Sequence, residues 1–272
     1  MIESAISVEW WKQHRLEVIV ADVRWYLDGR SGREAYDEGH LPGAVFVELD
    51  RWLSRAGSPA EGRHPLPDPE VFAAGMAELG IGDHDTVVAY DDAGGIIAAR
   101  LVWMLRVTGH PAALLDGGLA SYDGLLETRT PSRPSTRFTA TPWPPQHLAD
   151  IDDATNPNNL VLDARPHERF RGEQDPVDPR PGHVPGARNL PCRENLDSTG
   201  RLLPVAQLRQ RFEALGVRDA SRVVSYCGSG VTACHNLLAL ELAGLGHGRL
   251  WPGSWSQYSH ASDRPVATGA TP

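Results

Sequence analysis

The sequence predicts an α/β protein made of two tandem copies of one domain, each a small parallel sheet with helices on both faces. Three observations carry this. Short apolar runs alternate with segments of helical spacing. Each run is closed by a polar residue or glycine, as buried parallel strands are. The whole order then recurs after roughly 140 residues, about the length of one domain and far beyond a solenoid repeat.

In the first copy, residues 18–24 form an apolar run closed by Asp22 and Arg24, which reads as a buried strand. Residues 46–49 read as a short strand. Val71, Phe72, Met76 and Leu79 share one face of a helix over 69–79, stopped by Gly80 and Gly82. Residues 86–90 form a second strand ending at Asp91. A helix over 96–107 stops at Gly109, and a third strand over 112–115 turns at Asp116-Gly117-Gly118.

The second copy repeats this order. Residues 161–165 match 18–24, including the Asp-x-Arg ending at Asp163 and Arg165. Gly182-His183-Val184-Pro185-Gly186-Ala187 matches Gly39-His40-Leu41-Pro42-Gly43-Ala44. A helix over 208–215 ends at Gly216, and residues 222–226 match the strand ending at Tyr90. Pro252-Gly253-Ser254 matches Asp116-Gly117-Gly118. Prolines crowd residues 131–145 and favour a stiff, extended connector. The expected division is a first domain over 1–130, a linker over 131–146 and a second domain over 147–272. Strands alternating with helices imply parallel sheets, whose sites form beyond the carboxyl ends of the strands.

Composition narrows the function. At 41% hydrophobic and 22% charged, the 272-residue chain reads as a soluble globular protein. A net charge of -9 argues against nucleic acid as a partner. Three cysteines, Cys192, Cys227 and Cys234, do not form a disulfide framework and suit a reducing compartment. No basic leader precedes an apolar core, and no apolar run is long enough to span a membrane, so the expectation is a cytoplasmic enzyme. The eleven histidines show no metal-ligand spacing, and no metal or cofactor is expected.

The chemistry concentrates after residue 226. A strand stops at Cys227, and Gly228, Ser229, Gly230, Val231 and Thr232 lead into a helix marked by Leu237, Leu238, Leu240 and Leu242. Glycines let successive amides turn inward as an anion nest, and such a setting favours thiolate over thiol. Phosphatases with a similar loop need an arginine six residues after the cysteine to clamp phosphate; that position is Ala233.

The segment Cys-Gly-Ser-Gly-Val-Thr-Ala-Cys-His at 227–235, the pattern Tyr36-x-x-x-His40-Leu41-Pro42-Gly43-Ala44 and Gly253-Ser254-Trp255 resemble the rhodanese superfamily of sulfurtransferases, over nearly the whole chain. The resemblance implies two rhodanese-like domains, of which the first has lost its cysteine, with Asp91 in its place. It implies that Cys227 carries sulfur as a persulfide and that the amides from Gly228 through Ala233 stabilise it, with Gly228, Gly230, Val231 and Thr232 next to the substrate. Members acting on thiosulfate usually carry basic residues just after the cysteine. Gly228 and Ser229 are neutral, which points to 3-mercaptopyruvate as donor, with thiosulfate transfer or a non-catalytic sulfur carrier as alternatives. The resemblance further assigns Arg169 and Arg180 to a small anionic donor, and Ser229 to work with His40, whose acid partner would stand near Asp28 or Ser31. The acceptor would be a thiol, such as thioredoxin or glutathione, or cyanide. His40 has a second reading as a structural pin, because His183 repeats it. Asp22 with Arg24, and Asp163 with Arg165, read as strand-end ion pairs, and Cys234 reads as a core residue.

Overall fold

A computed structural model describes residues 2–271. They form two compact units that do not follow the chain simply. The first comprises the chain up to Arg55, Pro67–Trp143 and Leu196–Leu202. The second comprises Ala56–Leu66, Pro144–Asn195 and the chain from Leu203 onward. Each unit therefore includes one short segment from the other half of the sequence, and the two segments occupy corresponding stretches of the repeat. The linker expected over 131–146 is divided as well. Up to Trp143 it is strapped to the first unit, where Thr136 N–H donates to the Ala77 carbonyl at 3.0 Å and Phe138 stacks on His110.

The first unit is built on β1 (Ala5–Ile6), β2 (Val18–Asp22), β3 (Val45–Phe46), β4 (Thr86–Tyr90) and β5 (Ala112–Leu115). All pair in parallel, in the order β1-β5-β4-β2-β3. Its helices are α1 (Val8–His14), α2 (Gly32–Glu38), α3 (Pro69–Glu78) and α4 (Ala99–Val107). Helix α4 packs against β4 and β5. Its residues from Ala99 to Leu105 are buried all round, as a helix laid on a sheet and covered by further chain must be.

The second unit repeats the plan with β6 (Leu160–Asp163), β7 (Arg188–Asn189), β8 (Val223–Tyr226) and β9 (Arg249–Leu250), parallel in the order β7-β6-β8-β9. A bridge between Leu148 and Leu250 stands where β1 lies in the first sheet. Helices α5 (His167–Arg171), α6 (Val205–Ala214), α7 (Ala233–Leu242) and α8 (Ser254–Tyr258) complete it, with α7 against β8 and β9. The strand expected over 46–49 is shorter, because residues Leu49–Leu53 turn into a single π-helical turn.

The two units secure β2 and β6 in one way. Arg24 chelates Asp22 and donates to the Gly39 carbonyl at 2.7 Å; Arg165 chelates Asp163 and donates to the Gly182 carbonyl at 2.7 Å. These buried pairs tie a strand end to the His-x-Pro-Gly turn. Removing either partner would leave an uncompensated buried charge.

Candidate active site

Strand β8 places the cysteine. Val223, Val224 and Tyr226 are buried in the centre of a parallel sheet, so the chain leaves the sheet at its carboxyl end carrying Cys227. The turn that follows needs glycine at Gly230, whose φ is +78°; a Cβ there would lie 2.7 Å from the Pro252 carbonyl oxygen. That tight turn aims the Gly230 N–H at Cys227 Sγ, 3.1 Å away. Val231 is buried, and Thr232 leads into α7. The Cys234 thiol donates to the Gly230 carbonyl at 3.5 Å, so this cysteine pins the loop from the first turn of the helix.

The loop is also held from the side by the Pro252-Gly253-Ser254 turn. Ser254 Oγ accepts the Cys227 N–H at 3.2 Å and donates to the Trp251 carbonyl at 2.9 Å. Ser254 has φ of +52°, costly for a residue with a side chain. Gly118, its counterpart in the first unit, has φ of +55°. A Cβ on Gly118 would strike the Asp91 carbonyl oxygen at 2.3 Å, whereas the cysteine-bearing loop has room for a hydroxyl.

Cys227 is only 2% exposed, and its sulfur accepts the Gly230 N–H. Burial pushes the Cys192 thiol up to about 12, with charge on the neighbouring Cys227 sulfur adding to the rise, so Cys192 stays a thiol at neutral pH. All three cysteines are buried, and none is in a disulfide. Among the described residues, no group of three or more His, Cys, Asp or Glu side chains is placed to hold a metal ion.

The structure gives Ser229 a different partner from the expected one. His64 Nδ1 lies 2.7 Å from Ser229 Oγ. His40 belongs to the first unit and is completely buried. There Nδ1 meets the Tyr36 carbonyl at 2.8 Å and the ring stacks on Tyr36 at 3.8 Å. His183 does the same in the second unit, with the Phe170 carbonyl at 2.7 Å and the Phe170 ring at 3.6 Å. The two histidines are duplicate pins, which favours the structural reading of His40. Asp28 pairs with Arg30, and Ser31 caps α2.

The two expected arginines separate. Arg169 is close to the loop: its Nη1 comes within 3.4 Å of where a Cβ on Gly228 would stand. Its Nη2 is held by Asp175 at 3.0 Å and Asp178 at 2.8 Å. Arg180 instead donates to the carbonyls of Ser259, Arg264, Tyr258 and Ala261 at 2.6–2.9 Å, so its guanidinium is already committed to backbone. The second arginine at the loop is Arg63, which the sequence reading missed. Its Nη2 lies 3.1 Å from the same point over Gly228, its Nη1 pairs with Asp178, and its backbone N–H donates to Ser256 Oγ at 3.0 Å. Arg63 and His64 arrive on Ala56–Leu66, the segment that joins the second unit from the first half of the chain. The available signal was an Arg-His pair in a proline-bounded stretch that the repeat does not reproduce.

Comparison with known proteins agrees with this architecture. The model of the rhodanese-like domain matches the chain twice, over residues 7–124 and 145–261. A Pseudomonas aeruginosa protein named "Probable 3-mercaptopyruvate sulfurtransferase" is 45% identical over 266 residues, covering 93% of both chains. A Mycobacterium tuberculosis protein named "Putative thiosulfate sulfurtransferase SseB" is 38% identical over 260 residues, covering 93% of this chain and 91% of its own. The solved structure of 3-mercaptopyruvate sulfurtransferase from Leishmania major superposes with a TM-score of 0.87 at 32% identity, covering 97% of this chain and 76% of that one. With both halves matched, and with a cysteine loop at the end of a central parallel strand in the second, the chain belongs to the rhodanese family as a tandem pair of rhodanese-like domains.

Proposed function

We propose that the protein is a sulfurtransferase that takes sulfur from 3-mercaptopyruvate onto Cys227 and passes it to a thiol or to cyanide. The observation that carries this reading is the Cys227 sulfur held by the Gly230 N–H, one residue from a neutral Gly228 flanked by two arginines and two residues from Ser229 with its imidazole partner.

The chemistry follows from these groups. The Cys227 thiolate attacks the donor sulfur. The new S–S bond forms as the donor's C–S bond breaks, and the bonding pair leaves on carbon as the enolate of pyruvate. Ser229, hydrogen-bonded to His64, is suited to donate a hydrogen bond to the ketone oxygen where that charge develops. The persulfide proton completes pyruvate. The terminal sulfur then bears negative charge that the loop amides stabilise. An acceptor thiolate attacks that outer sulfur and regenerates the Cys227 thiolate, closing a ping-pong cycle. Thioredoxin, glutathione and cyanide are acceptors of the required kind.

Thiosulfate is the second reading, and the name of the Mycobacterium relative favours it. Against it stands the absence of a basic side chain at positions 228 and 229. Among the described residues no helix is long and apolar enough to cross a membrane. Three cysteines outside any disulfide suit a reducing compartment, and we read the protein as cytoplasmic.

Steady-state turnover with each donor and cyanide as acceptor tests the assignment. The expected result is a higher kcat/KM for 3-mercaptopyruvate, no transfer by Cys227→Ser, and one added sulfur on the Cys227 peptide of the donor-treated protein by mass spectrometry. Turnover of neither donor rejects the enzyme, and a higher kcat/KM for thiosulfate rejects the donor.

A further inference from the structure

We propose that Ser254 is a positioning residue of the cysteine loop. Its backbone holds a strained conformation that sets its hydroxyl against the Cys227 amide, and with the amides of Trp255 and Ser256 it fixes the peptide planes that aim the loop's N–H groups at the reactive sulfur. This rests on the sulfurtransferase reading above and adds to it the residue that aims the loop.

The strain is the first observation. Among the described residues, Ser254 is the only one other than glycine with a positive φ. A side chain disfavours that region, and glycine enters it freely. The first unit makes the corresponding turn with Gly118 at nearly the same φ, beside a loop that holds Asp91 and no thiol. The half that bears the cysteine thus keeps a costly residue where the other half uses a cheap one. Such strain persists where the structure uses what the residue carries, and Ser254 carries one hydroxyl. Ser254 is completely buried, and its single proton goes to the Trp251 carbonyl, so toward the Cys227 N–H the hydroxyl can only accept.

The peptide planes are the second observation. The peptide entering Cys227 is held on both sides: the Tyr226 carbonyl accepts the Ala164 N–H at 2.8 Å, and the Cys227 N–H meets Ser254. The next two carbonyls are held by the residues after Ser254. Trp255 N–H donates to the Cys227 carbonyl at 3.0 Å, and Ser256 N–H donates to the Gly228 carbonyl at 2.8 Å. In a trans peptide the carbonyl and the following N–H point in opposite directions. Tying those two carbonyls to residues 255 and 256 therefore turns the N–H groups of Gly228 and Ser229 the other way. The Gly230 N–H then meets the sulfur. The first unit shares part of this brace, because Leu119 N–H donates to the Asp91 carbonyl at 2.9 Å. The second unit adds the hydroxyl. Donors fixed in this way need no reorganisation when charge develops on the sulfur. Without the hydroxyl, the buried Cys227 N–H and Trp251 carbonyl both lose a partner, and the loop shifts to recover one.

The test compares Ser254→Ala and Ser254→Gly with the unaltered protein. Both variants lose the hydroxyl, and only Ser254→Gly relieves the strain. Ser254→Gly is therefore expected to melt about 2–4 °C above Ser254→Ala. Two further readouts follow the aim of the loop: steady-state turnover of 3-mercaptopyruvate, and the rate at which iodoacetamide alkylates Cys227 at neutral pH, read on the Cys227 peptide by mass spectrometry. Both variants are expected to lower kcat and to slow alkylation by roughly fivefold, the scale of one lost hydrogen bond, with KM little changed. A merely structural role would make the losses follow the melting temperatures, so that the more stable Ser254→Gly stands near the parent. Ser254→Gly that alkylates at the parent's rate, or that changes KM alone, overturns the proposal. If Ser254→Ala does not fold, Ser254→Gly decides by itself. Absence of turnover in the parent counts against the enzyme reading alone, because the alkylation rates still decide whether Ser254 aims the loop.

Discussion

Two histidines show how little a residue type says before its neighbours are known. His64 holds Ser229 at 2.7 Å beside the reactive loop, while His40 is sealed between Tyr36 and its carbonyl. His64→Gln is expected to lower kcat with 3-mercaptopyruvate by roughly 100-fold, the scale of a lost general acid–base group, with little change in melting temperature. His40→Gln is expected to do the reverse, lowering the melting temperature by several degrees through lost stacking and a lost buried hydrogen bond. Thermal melts and turnover of the two purified variants separate these outcomes, and a kinetic loss in His40→Gln equal to that in His64→Gln would restore the role first expected of it. The sequence pointed to His40 because the repeat makes recurring residues conspicuous. His64 has no counterpart in the second copy, so the same comparison passed over it. Arg180 shows a related limit: an arginine beside a motif is legible as a residue, but not what its N–H groups already hold.

At the scale of the element, the strand-to-loop-to-helix turn occurs in both units with opposite contents. In the second unit it surrounds a thiol. In the first, Asp91 fills it: Oδ1 accepts from the amides of Ala93 and Gly95, and Oδ2 from those of Ile97 and Ala98, at 2.7–2.9 Å. Burial raises the Asp91 carboxyl above its ordinary range, and the four amides oppose that rise. The first nest thus carries its own anion. Asp91→Ala removes the acceptor from four N–H groups, three of them buried, and a loss of about 3–5 kcal/mol in urea unfolding is expected, with Asp91→Asn, which keeps one acceptor oxygen, losing less. An unchanged midpoint in Asp91→Ala would show that the nest closes without a filler. These elements were largely legible in advance. The strands over 86–90 and 112–115 and the helix over 69–79 were visible as period and length, because long apolar patterns override local detail. The two-residue strands β1, β7 and β9 were not, since so short a stretch has no period to read and exists only through its sheet partner.

At the scale of the molecule, the division into units departs from the division of the sequence. A boundary near residue 145 was visible in the prolines, yet Ala56–Leu66 and Leu196–Leu202 each fold with the opposite half. Nothing in composition marks such an exchange, because both segments are ordinary polar loops whose partners are distant in sequence. One consequence is measurable. A fragment of residues 144–272 retains Cys227, Ser229 and Arg169 but lacks Arg63 and His64. Its kcat/KM for 3-mercaptopyruvate is expected to fall by at least roughly 100-fold, from the loss of an arginine arm and a proton-handling group together. Turnover by the fragment at the parent's rate would mean that the exchanged segment contributes nothing to the reaction.

The same exchange bears on when the protein becomes chemically dangerous. His64 precedes Ser229 by 165 residues, so a chain growing from its amino end presents the imidazole and the Arg63 fork long before the cysteine exists. When Cys227 finally emerges, β9 and the Pro252-Gly253-Ser254 turn that brace its loop have still to follow. A half-made chain therefore carries Arg63 and His64 before the second unit they belong to can close around them. The groups on which the proposed sulfur transfer depends are therefore all in place only after the last third of the chain has been made and its closing turn has folded back on the loop.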